Sequence, residues 1–293
     1  MHHQPDAAAE VVVAPLTRDD VPRLRLGNDP PLTQRQAVNL LLTYPGRSVW
    51  IPTTGEYAVV APWRHRPELP VIQALAAFRH EFRLLQALIA RVREAGAAAL
   101  LMMDADETRR ADFYQRHGLE QVERIQTYEL PSPQVRTEPN GRARLRYVRA
   151  DPRDQAMLGA LVSLDHDAFP WLWQNSAEEF RLYLAMPEVE VWVGLRGERL
   201  VSYVGLTHFP GWGHLDRIAV SPVAQSAGFG RESLRFAVHR VAELGARRMG
   251  LSTQGDNVRS QRLYESVGFR RTAEHDYSVR GVVFDQRLLE RHE

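Results

Sequence analysis

Hydrophobic positions along this chain fall into short runs. Some alternate every second residue and others recur every third or fourth, so strands and helices succeed one another throughout. In the first half, 11–16 reads as a strand and 23–31 as a loop broken by Gly27, Pro30 and Pro31. A helix is predicted over 34–42, before Pro45 and Gly46, then strands at 50–52 and 57–61 around a turn at Thr54 and Gly55. Phe82, Leu85, Ile89 and Val92 share one helical face, and Gly96 ends that helix. The continuous apolar run 98–103 predicts a buried strand, followed by a short helix over 108–116 and a strand over 122–130.

Pro131, Pro133 and Pro139, with Asn140 and Gly141, then interrupt all regular patterning. They predict a linker over 133–141 between domains at 10–132 and 142–293. The second half reads as a strand at 145–149, helices at 155–164 and 177–185, and a strand pair at 189–195 and 200–208 turning at Gly197. A strand at 215–220 leads through a glycine-containing turn into a helix ending at Leu244. A strand at 249–253, a short helix at 260–266 and strand material past Phe269 complete the pattern.

The two halves repeat. Residues 91–97 (RVREAGA) align with 240–246 (RVAELGA), and 113–119 (FYQRHGL) align with 263–269 (LYESVGF) in the same order at a similar separation. A repeat of this length implies duplicated α/β domains rather than a solenoid.

Composition narrows the chemistry. The chain has 293 residues, 44% hydrophobic and 25% charged, enough for a substantial core. A formal net charge of +1 gives no reason to expect nucleic acid or an acidic membrane surface as a partner. Arg109-Arg110 and Arg270-Arg271 are too short to form a nucleic-acid patch. Cysteine is absent, which excludes disulfides, thiolate metal ligands and a cysteine nucleophile. Lysine is absent too, which excludes Schiff-base chemistry and a Walker-type phosphate loop. The histidines show no metal-ligand spacing. No apolar run is long enough for a membrane span, and the start lacks a signal-peptide pattern, so a cytoplasmic bacterial enzyme is the expectation.

The stretch 219–231 (AVSPVAQSAGFGR) carries the sharpest signal. Glycines between a strand and a helix permit positive φ and close backbone approach, while the first amides of the helix face outward toward an anion. A pyrophosphate suits that geometry. A dinucleotide fingerprint would need a third glycine and an earlier place in the sheet, and both are missing. Val220, Pro222, Gln225, Gly228 and Gly230 together resemble the acyl-CoA core of the GCN5-related N-acetyltransferases (GNAT).

That resemblance implies two tandem GNAT-like α/β (α+β) domains, each a twisted mixed, mostly antiparallel sheet flanked by helices. It implies acetyl-CoA as cosubstrate and a primary amine of a small molecule or peptide as acceptor, with direct acetyl transfer. Backbone around Ile218, Ala219 and Val220 would hold the pantetheine arm, and Gln225, Ser226, Ala227, Gly228, Phe229, Gly230 and Arg231 the pyrophosphate. Asn257 and Ser260 would contact the CoA arm, and Tyr264 would be the general acid for the leaving thiolate. Two turns of helix from Asn257 to Tyr264 would bring these residues near one face.

A base for the amine is left open among His214, Asp216, Asp165, His166 and Asp167, the last three preceding the aromatic stretch at Phe169, Trp171 and Trp173. A non-catalytic acyl-CoA sensor or scaffold, or a transferase using a longer acyl-CoA, are the alternatives. The N-terminal copy keeps Tyr114 and Gly118. Its aligned turn, 76–81 (AAFRHE), has no glycine and fills the anion space with side chains, while Glu107 and Arg110 stand where Asn257 and Ser260 do. It is expected to be a degenerate domain that does not bind acyl-CoA in the family manner.

Overall fold

A computed structural model of the chain describes residues 11–26, 32–104, 111–134 and 144–289. The N-terminal tail, Glu107 and Arg110, and most of the expected linker lie outside the described residues. Two compact units emerge: Met1–Met103 with Arg109–Glu120 and Arg280–Asp285, and Asp104–Thr108 with Gln121–Val279 and Gln286–Glu293. This grouping departs from the expected division at 132 and 142, because pairing follows strand edges rather than chain order.

In the first unit, β1 (Ala14–Pro15), β2 (Val49–Ile51), β3 (Glu56–Trp63), β4 (Arg66–Ala76) and β5 (Ala99–Asp104) lie side by side in that order. β4 and β5 are parallel, and β1 to β4 pair antiparallel. Helix α1 (Gln34–Thr43) covers one face through Ala37 and Leu41. On the other face, α2 (Glu81–Glu94) buries Leu84, Leu85, Leu88 and Val92, and α3 (Ala111–His117) buries Phe113 and Tyr114. The hydrophobic pattern did not predict β4. Pro67 and Pro70 break its alternation, and Pro70 is tolerated facing Pro62 near the end of the ladder.

The second unit takes β6 (Glu120–Pro131), from the first half of the chain, as a partner of β11 (Arg248–Gln254). It also contains β7 (Arg146–Arg149), α4 (Gln155–Ala168), α5 (Ala177–Ala185), β8 (Val189–Arg196), β9 (Arg199–Phe209), β10 (Trp212–Val220) and α6 (Phe229–Glu243). α7 (Val258–Glu265), β12 (Arg270–Arg271) and the start of β13 (Tyr277–Val283) complete it. The strand order is β6-β11-β10-β9-β8-β7. Only β10 and β11 are parallel among these neighbours. α4 and α5 pack on one face around Tyr203, and α6 and α7 pack on the other around Leu215 and Leu251. Among the described residues no helix is long and apolar enough to cross a membrane.

Candidate active site

The site begins with a ladder that stops early. β10 and β11 pair from Trp212↔Arg248 to Leu215↔Leu251, whereas β10 continues to Val220 and β11 to Gln254. At the same point the register between β10 and β9 slips, leaving Asp216 as a bulge between Leu215 and Arg217. The parallel strands therefore part beyond the bulge. Ile218, Ala219 and Val220 keep their β9 partners on one edge and have no β11 ladder on the other. An unpaired strand edge of this kind is where an extended chain adds hydrogen bonds.

The glycine turn lies at the end of β10. Ser226 and Gly228 both have positive φ (63° and 87°), and Gly228 is the N-cap of α6. Gly230 is helical instead, and its missing side chain lets Leu263 of α7 and Val220 approach. Only one of the two motif glycines therefore serves the positive-φ role that the pattern suggests. Ser226, Ala227, Gly228 and Arg231 are exposed, while the Phe229 ring is buried with Leu145 and Val201, so only its backbone can face a ligand.

The helix ends differ in a telling way. Side chains cap α1, α4, α5 and α7, through Thr33, Asp154, Ser176 and Asn257 respectively. α6 has no side-chain cap, which leaves its first amides and the positive end of its dipole open to an anion. Two arginines the sequence reading missed border this end. Arg144 donates from Nη1 to the Ala227 carbonyl at 2.7 Å and pairs with Glu232 at 3.3 Å. A β-carbon on Gly228 would stand 2.9 Å from Arg144 Nη2. Arg259 donates to Gln225 Oε1 at 2.6 Å and to Ser226 Oγ at 3.2 Å. Gln225 Nε2 donates in turn to the Val220 carbonyl at 3.2 Å, closing the turn on its own strand.

Asn257 stands outside α7 as its N-cap, with Oδ1 accepting from the Ser260 amide at 3.1 Å. The expected shared helical face therefore holds for Ser260 and Tyr264 alone. Burial pushes the Tyr264 pKa up to about 12, so the phenol stays protonated at neutral pH. Ser260 and Thr253, the latter in the part of β11 past its pairing with β10, are close enough to the Tyr264 hydroxyl to lower its pKa against that rise. Its ring packs in the core beside Tyr128 and Phe269.

The base candidates separate clearly. Asp165 has no exposed surface and is bound to Arg217, to the Tyr203 hydroxyl and, at 2.8 Å, to the Asn175 amide. Arg217 also donates to the Trp173 carbonyl at 3.0 Å and lies 3.8 Å over the Phe169 ring, so this buried pair pins 169–175 to β10. His166 meets the Asn175 carbonyl at 2.9 Å, and Asp167 is exposed on α4.

Asp216 at the bulge behaves differently. One oxygen accepts from Thr207 at 2.6 Å and from Tyr183 of α5, while the other meets His214 Nδ1 at 2.7 Å. Burial first, then the neighbouring Asp216 charge, raises the Tyr183 pKa well above its ordinary value. Both His214 and Asp216 keep about a quarter of their side chains exposed. Gly250 makes room for the imidazole, since a β-carbon there would be 3.3 Å from His214 Cδ2.

The corresponding turn of the first unit is closed. No residue of 76–81 fills it. Glu56 of β3 does, accepting from the amides of Phe78, Arg79 and His80, whereas Glu81 is drawn off to His117 at 3.0 Å.

Residues 158–269 match the acetyltransferase (GNAT) family. No curated protein matches the chain in sequence. A GCN5-related N-acetyltransferase from Sphaerobacter thermophilus is similar in structure, with TM-score 0.58, 16% identity, and coverage of 93% of this chain and 95% of that one. One from Kribbella flavida gives TM-score 0.60 at 14% identity, covering 94% of this chain and 71% of its own. A tandem GNAT protein from the clavulanic acid biosynthesis pathway gives 0.58 at 13% identity, over 93% of this chain and 98% of that one. These likenesses extend across both halves of the chain and concern the fold.

Proposed function

We propose that the C-terminal unit, whose residues 158–269 match the acetyltransferase (GNAT) family, moves an acetyl group from acetyl-CoA to a primary amine of a small molecule or peptide. The observation that carries this reading is the combination of a parting strand pair with an uncapped helix beside it. The free edge of Ile218, Ala219 and Val220 suits the amide-bearing pantetheine arm. The amides at Ala227 to Arg231, flanked by the Arg144 and Arg259 guanidiniums, suit the pyrophosphate.

Chemistry follows from the groups nearest the opening. An ammonium has no lone pair, so the acceptor must arrive at, or be brought to, its neutral form. Its nitrogen attacks the thioester carbonyl carbon, forming C–N as the C–S bond breaks. The amine proton passes to Nε2 of His214, whose Nδ1–H is held by Asp216. Tyr264 donates its hydroxyl proton to the departing sulfur, giving the free thiol, and is reprotonated from solvent. Asp165 takes no proton in this scheme, because its charge is consumed by Arg217. The N-terminal unit is the degenerate copy and does not bind acyl-CoA in this manner.

Calorimetric titration with acetyl-CoA, then release of free CoA across a panel of amines, tests the reading. Tight binding with amine-dependent thiol release supports it. Binding without release above background would mean a sensor, and no binding would remove the site assignment.

A further inference from the structure

The cradle that the second unit leaves open occurs again in the chain, with an occupant. Glu56 has no exposed surface, and its Oε1 accepts from the amides of Phe78, Arg79 and His80 at 2.7, 2.8 and 2.8 Å. Thr54 donates from Oγ1 to the other oxygen at 2.8 Å. His80 is the N-cap of α2 and gives that helix no side-chain cap. Three amides converging on one oxygen at a helix start form the geometry that favours a phosphate oxygen. Burial raises the Glu56 pKa, but the amides and Thr54 outweigh it and hold the carboxyl at about 2, so the group is an anion at neutral pH.

Register shows what stands in the same place in the second unit. β4 has its own bulge at Gln73, as β10 has at Asp216. The residues after the bulges, Ala74 and Arg217, pair with Val59 and Gly205. Three positions before those partners stand Glu56 and Ser202. Ser202 is too short to reach the helix end, and its Oγ accepts instead from Ser233 of α6 at 2.9 Å.

We propose that the N-terminal unit retains an anion cradle at the start of α2 and that the Glu56 carboxylate is its permanent ligand, a tethered stand-in for a phosphate group. Tethering removes the translational entropy cost of binding, so a free diphosphate does not displace it. Replacing Glu56 by the serine of the other unit opens the cradle. Nothing in this arrangement depends on what the C-terminal unit binds.

The test follows the backbone amide resonances of Phe78, Arg79 and His80 in the labelled full chain while inorganic pyrophosphate is added. In the wild type these amides stay still. In Glu56→Ser they shift saturably, and the thermal midpoint lost on substitution, on the order of 5 °C, is partly regained with pyrophosphate. Unmoved amides in a folded Glu56→Ser protein overturn the cradle. Amides that move in the wild type overturn the permanence of the ligand. Should the serine variant not fold, Glu56→Gln decides, because it keeps an oxygen but no charge. It is expected to lower the midpoint at neutral pH, and full wild-type stability there overturns the anionic role.

Discussion

The two units share a plan and differ at the bulge, at the position three residues before the bulge's partner, and in the turn before the long helix. Each has a parallel strand pair following a bulged central strand, one helical layer on one face, and a long and a short helix on the other. The bulge residue is Asp216 in one and exposed Gln73 in the other. The position three residues before the bulge's partner is Ser202, too short to reach the helix start, in one and Glu56 in the other. The turn carries positive φ at Ser226 and Gly228, while the 76–81 turn carries none. The fold rests on many apolar contacts and survives such changes, whereas anion binding and proton transfer each hang on one or two side chains. Loss of a site therefore leaves the scaffold intact.

Substitutions made in pairs at corresponding positions would break or sharpen this comparison. The largest effect is expected at the bulge. Asp216→Asn or His214→Ala should lower kcat about 10²–10⁴-fold with little change in acetyl-CoA affinity, while Gln73→Ala leaves turnover unchanged; pH–rate profiles of the two sets check this. Next comes Gly228→Val, which places a β-branched residue at φ 87° against Arg144. Acetyl-CoA affinity should fall about 100-fold or more, roughly 3 kcal/mol, with far-UV circular dichroism unchanged; retained affinity in calorimetry removes the phosphate-turn assignment.

A smaller effect belongs to Tyr264→Phe, expected to reduce kcat about 10-fold or more while affinity moves less; Tyr114→Phe should leave kcat alone. Wild-type turnover by the Tyr264 variant would remove the hydroxyl's role as general acid. Smallest for activity is Glu56→Gln, which should leave turnover untouched and act on stability. The folded carboxyl lies near 2 against an ordinary 4.5, so its contribution, on the order of 3 kcal/mol, is complete above 4.5. It fades as pH falls toward 2. Denaturant unfolding of wild type and Glu56→Gln should therefore differ at pH 7 and converge near pH 2. A gap that persists unchanged in acid contradicts the charge-based account.

Much of the second unit was legible from pattern alone. α5 spans 177–185 as its spacing predicts, and the strand–turn–helix at 215–244 forms around Gly228. Tyr264 was singled out by its place in the motif, and it lies in α7 near Thr253 of β11. The first unit was less legible, since Pro67 and Pro70 hide β4, and with it the bulge that relates the units. Asp165, a base candidate by its position, is revealed as the buried partner of Arg217 only when α4 meets β10.

Elements, the repeat and the glycine turn were determined by the sequence itself, because periodicity and left-handed φ depend on residues within a few positions of one another. The tertiary structure decided that Glu56 occupies the start of α2 while that of α6 has no side-chain cap, and which strand completes which sheet. Glu56 reaches its amides across 22 to 24 residues, and Arg144 reaches Ala227 across 83. Contacts that far apart leave no period in the chain, so they exist only once the strands have set their register.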